Sequence, residues 1–202
     1  ALLAARGNLL GQYCHWREAA RALTAAIELN PDHQYFHSLA AACVQSGEIE
    51  AYRRHCARII AQFGETTDPL VAHRMAKDCL ILPSQGQDLD AFVRLAEIAT
   101  GTGLVSPDPR PFQFSKGLAE YRRGRYLRAI PFLQAVLAAG NSSSWQRNFC
   151  DAEAAAVLAL SQHQLKHSEE ARAALAEAAA FAKAMPEMES GDLGLDWIDW
   201  II

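Results

Sequence analysis

The sequence predicts an all-α chain: an α-solenoid of about five antiparallel helix pairs wound as a right-handed superhelix. Three observations carry this expectation. Half of the 202 residues are hydrophobic and alanine abounds, with only 8 prolines and 12 glycines to interrupt helices. Apolar residues recur at helical spacing between turn-forming residues. The same alternation of small and large side chains then returns along the chain. Between Ala19, Tyr52, Ala91, Ala129 and Ala171, taken as equivalent, the intervals are 33, 39, 38 and 42 residues.

The first unit, about 1–31, holds Gly7, Leu10, Trp16, Ala19, Leu23, Ala26 and Pro31. The second, about 32–66, holds Phe36, Leu39, Ala40, Gly47, Ile49, Cys56 and Ile59. Tyr52 replaces the small alanine at its helix crossing, so this pair is expected to pack differently. The third, about 67–103, is degenerate and carries Ala76, Cys79, Ala91, Leu95 and Ile98. The fourth, about 109–141, contains the clearest stretch, GLAEYRRGRYLRAI at 117–130. There Phe114, Leu118 and Tyr121 make one helical face and Ile130, Leu133 and Val136 the other. Gly117 and Ala129 are small because two helices cross where they sit, and Gly124 supplies a turn conformation that a Cβ resists. Pro131 is expected near the first turn of its helix, where amides lack partners anyway. The fifth unit, about 145–184, carries Leu158, Ala159, Ala171, Leu175 and Ala178. Longer connections such as LPSQGQ, TGTGLVSPDPRP and GNSSSW account for the wider intervals. Residues 193–202, with Leu195, Trp197, Ile198 and Trp200, read as the start of a C-terminal capping helix. The whole of 1–202 reads as one domain, a piece of a longer chain.

This grammar resembles the tetratricopeptide (TPR) repeat, a 34-residue helix–turn–helix unit. The runs GEIEAYRRHCARIIAQFGETTDPLVAHRMAKDCLILP, KGLAEYRRGRYLRAI and GLDWIDWII further resemble the TPR-rich C-terminal arms of multidomain bacterial proteins, typical of planctomycete-like bacteria. Such arms sit behind serine/threonine kinase domains or WD-repeat propellers. The resemblance implies a non-catalytic module that binds a peptide or protein on its concave face. The alternative it implies is the regulatory or substrate-docking arm of a serine/threonine kinase whose catalytic domain lies outside this segment.

Several functions find no support in the residues. A net charge of −4 gives no general attraction for nucleic acid. No apolar run is long enough to span a membrane, and ALLAARGN lacks the features of a signal peptide. The five cysteines, Cys14, Cys43, Cys56, Cys79 and Cys150, form no CxxC pair, which favours core positions in a reducing cytoplasm. No phosphate-binding loop, nucleophile elbow or kinase signature occurs, and the serines of NSSSW have no base beside them, so no catalytic residue is assigned. His33 with His37, and His163 with His167, have the spacing of two ligands on one helix face. Neither pair has the further ligands that a closed zinc site requires, so no metal and no cofactor is expected.

The remaining site is the groove lined by the first helix of each pair. The repeat register places His37, His73, Lys77, Phe114, Tyr121, Arg122, His163 and Gln164 there. Aromatic rings among Lys, Arg and His suit a short acidic or C-terminal peptide. Tyr121 and Arg122 are expected to serve binding without supporting the fold. The lysines of the carboxylate clamp that grips chaperone tails are missing, and only Asn8 matches it. Self-association through the terminal repeats is a further expectation.

Overall fold

Each helix hairpin turns through one residue in the left-handed region, and that residue always lies five positions before the crossing residue. In a computed structural model, Cys14, Gly47, Gly86, Gly124 and Lys166 have φ values of 62°, 73°, 64°, 71° and 65°. They precede Ala19, Tyr52, Ala91, Ala129 and Ala171. Twelve positions before each crossing residue stands a small buried one: Gly7, Ala40, Cys79, Gly117 and Ala159. One register therefore runs through all five pairs, including the pair where tyrosine sits at the crossing. The residues described are 1–101, 108–139, 145–194 and 197–201, with the side chains of 145–148, 189, 199 and 200 left aside. The readings placed on the rest of the GTG loop, on the serines of NSSSW, and on Leu195 and the Trp200 side chain fall outside them.

Among the described residues every regular element is helical. The pairs are α1 (Leu2–Gln12) with α2 (Trp16–Leu29), α3 (His33–Gln45) with α4 (Ile49–Phe63), and α5 (Pro69–Leu80) with α6 (Gly86–Ala99). Then come α7 (Arg110–Arg122) with α8 (Tyr126–Ala138), α9 (Trp145–Gln164) with α10 (Ser168–Ala182), and the short α11 (Trp197–Ile201). Local chemistry sets several of the starts. Asp32 accepts from the Gln34 amide and Asp68 from the Leu70 amide, each at 2.8 Å, and Pro69 follows at the first helical position. Pro131 is the sixth residue of α8, past the first turn where the sequence placed it. It therefore denies the Leu127 carbonyl its amide donor four residues on.

Two compact units result. One comprises Ala1–Glu65 with Pro186–Ile202, the other Thr66–Met185. In the first, α2 packs between α1 and α3, and α3 packs on α4. Leu23, Ile27, Phe36, Leu39, Tyr52 and Ile59 are buried there. In the second, the first helices α5, α7 and α9 lie against one another in succession, with α6 and α8 behind them. Its core includes Met75, Leu95, Phe114, Leu133, Val136 and Phe149. The segment read as the start of a capping helix packs on α1 and α3. Its large apolar side chains Leu193 and Trp197 find cover there, and both are buried.

Candidate interaction surface

The face shared by α5, α7 and α9 in the second unit is closed along much of its length by its own polar groups. Helix α5 is buried at every position from Met75 to Leu80. Lys77 lies 3.7 Å from Glu153 of α9. Ser115 of α7 donates to the His73 carbonyl at 3.2 Å, and the His73 ring lies 4.6 Å from that of Phe112. Arg110, itself buried, bonds Asp108 at 2.8 Å and reaches Asp151 of α9 at 3.4 Å. Burial pushes the Asp151 carboxyl up from its ordinary range, and the Arg110 charge opposes that shift. Burial likewise pushes the Cys150 thiol up, which favours its protonated form at neutral pH.

This arrangement separates the residues assigned from sequence into two groups. Phe114, at 2% exposure, is core, and His73 and Lys77 are buried between helices. They present nothing to a partner, because the first helices approach closely enough to pair their own charges. Arg122 donates through Nε to the Leu80 carbonyl at 2.8 Å and through Nη2 to the Ile81 carbonyl, tying α7 to the end of α5. It supports the fold, against the expectation that it serves binding alone. His37 is half-buried on α3 in the other unit. Tyr121 is half-exposed, with its ring 5.6 Å from that of Tyr126 and beneath the Arg122 guanidinium. His163 and Gln164 are exposed, and Leu160 one turn earlier is 47% exposed.

Beside Tyr121 the surface opens. The α7–α8 turn, the start of α8 and Leu165 line a recess of about 430 Å³, formed by Gly124, Arg125, Tyr126, Leu127, Arg128 and Leu165. Leu127 is 69% exposed, and Arg125 and Arg128 are exposed beside it. Arg125 lies 3.7 Å from buried Glu120, whereas no ion pair of Arg128 is found among the described residues. Neither arginine is among the residues that the repeat register places in the groove. The signal was a leucine between them at a position where the hairpin register does not bury it. Among the described residues no group of three or more His, Cys, Asp or Glu could hold a metal ion, and no helix is long and apolar enough to cross a membrane.

Comparison with known proteins agrees with the helical architecture. The fold is similar to that of the TPR-like protein MamA of AMB-1, with a TM-score of 0.52 over 91% of this chain and 99% of that one, at 19% identity. This likeness concerns the fold alone. No protein-family model matches the sequence, and no curated protein does.

Proposed function

We propose that the chain is a non-catalytic protein-interaction module whose second unit grips an acidic peptide at the recess of Arg125, Tyr126, Leu127, Arg128 and Leu165. The observation that carries this reading is an open concavity in which two exposed arginines flank an exposed leucine. Arginine forks suit carboxylates, and a leucine rim suits one apolar side chain between them. Tyr121, through its ring contact with Tyr126, and the exposed His163 and Gln164 extend the surface for a longer ligand. The TPR-like fold, which suggests a protein-interaction scaffold, supports the same reading.

Selection from a displayed random-peptide library on the intact chain tests it. Acidic peptides with one apolar anchor should be enriched. Their binding should fall at least about tenfold with Arg125→Glu and Arg128→Glu together, an order-of-magnitude figure for two lost charge pairs. It should survive Arg53→Glu, a charge reversal in the other unit. Enrichment of neutral or basic peptides, or binding unaffected by the double variant, would defeat the proposal.

A further inference from the structure

The first helix pair holds a segment that belongs to neither of its helices. Trp197 is 1% exposed and Leu193 fully buried, and both are covered within the first unit. The indole lies over Gly11, where an added Cβ would stand 2.5–2.7 Å from three of its ring atoms, and its ring centroid is 5.9 Å from that of Trp16. The Leu193 amide donates to the Gln12 carbonyl at 3.0 Å. The Gln12 side chain in turn donates to Asp192 at 2.9 Å, and the same carboxylate accepts from the Gly194 amide at 2.9 Å. One helix end thus supplies a slot, a backbone acceptor and a side-chain donor. An Asp–Leu turn and a tryptophan four residues after the leucine use all three.

The attachment has the character of a bound ligand. Helix α11 packs on α1 and α3, and its Trp197 meets Trp16 at the start of α2. The polar tie between Gln12 and Asp192 is solvent-exposed. Residues 186–202 carry five acidic side chains and no Lys or Arg. The basic residues of the pair they sit on, Arg6, Arg17 and Arg21, are all exposed.

The geometry points to a second peptide-binding site, on the first helix pair, that recognises an acidic Asp–Leu segment followed by Trp and is filled by the chain's own Asp192, Leu193 and Trp197 as a releasable occupant. It is distinct from the recess in the other unit, and either site can fail without the other.

A fluorescein-labelled peptide of residues 186–202, titrated against the full chain, tests this by anisotropy. In wild type the tethered segment competes at an effective concentration of order millimolar. The Trp197→Ala chain, its slot vacated, is expected to bind the peptide at least about tenfold more tightly than wild type. Adding Gly11→Ala should abolish that gain, because the Cβ takes the indole's place. A peptide carrying alanine for Trp197 should not bind. Retained helicity in Trp197→Ala without improved peptide binding would overturn the site. Loss of helicity in that variant would also overturn it, by making the segment part of the core. Sedimentation should show a monomer at all concentrations. A wild-type dimer that Trp197→Ala dissolves would assign the slot to a second copy and overturn the intramolecular occupant.

Discussion

Gly117 faces Leu133 so closely that a Cβ on the glycine would stand 2.8 Å from both Cγ and Cδ2 of the leucine, which is fully buried. The helix crossing of the fourth pair is thus set by the missing side chain, as in the first pair, where a Cβ on Gly7 would stand 2.6 Å from Leu23 Cγ. Ala129, fully buried, lies one turn before Leu133 on α8. Ala129→Leu should lower stability by about 1–3 kcal/mol through overpacking. Gly117→Ala should cost less, because alanine recovers about 1 kcal/mol of helix propensity against the clash. Urea denaturation measures both. An unchanged midpoint for Ala129→Leu would show that the register is wrong.

The five left-handed turns are chemically unequal, and this gives a second prediction. Gly124 adopts φ 71° at no steric cost, whereas Lys166 holds φ 65° with a Cβ. Lys166 is exposed, so its side chain contributes little packing. Lys166→Gly should therefore stabilise the fold by about 1 kcal/mol, the usual cost of a left-handed non-glycine residue. Gly124→Ala should destabilise by a similar amount. The site is spacious, with only the Tyr126 hydroxyl, 3.8 Å away, near an added Cβ. The paired thermal melts should move in opposite directions. Movement in the same direction would mean that packing governs these turns.

These turns also mark how far the sequence could be read. Helix pairs are local objects, and small residues, turn glycines and apolar periodicity specify them within about thirty-four residues. What the sequence hid is long-range. The repeat register places Lys77 and His73 in the groove, whereas both are buried. Nothing near them in sequence announces Glu153, which meets Lys77 from another helix. Likewise Trp197 belongs over Gly11, almost the full length of the chain away. A tryptophan near a repeat array's end suggests a cap, and only packing shows which pair it covers.

The cysteines offer a chemical check on burial. Cys43 is buried, and chiefly for that reason its thiol is pushed up to about 12, with the Glu48 charge adding to the shift. Cys14 sits half-buried in the first turn. Iodoacetamide reacts with the thiolate, so at pH 8 Cys43 should be alkylated at least about 100-fold more slowly than Cys14. Raising the pH from 7 to 9 should speed Cys14 while leaving Cys43 protonated. Timed alkylation with peptide mass mapping reads both rates. Equal labelling in the folded chain would place Cys43 at the surface.

Arg122 supplies the prediction that most affects how binding experiments are read. The last carbonyls of a helix have no amide donors within it and sit at the negative end of its dipole. Arg122 answers both needs at the end of α5 by donating to the Leu80 and Ile81 carbonyls from α7. Charge-assisted bonds to part-buried carbonyls make Arg122→Ala costly, by about 1–3 kcal/mol. Arg122→Lys should recover only part, since an ammonium lacks the planar fork that reaches two carbonyls at once. A loss of partner binding in Arg122→Ala would then report a loosened helix pair. Leu127→Ala and Arg128→Glu are cleaner probes of the recess, because both side chains are exposed. The melting temperature of Arg122→Ala decides the matter. A clear fall confirms the tie to α5, and wild-type melting would mean that the tie does not form in solution and would return Arg122 to the candidate binding surface.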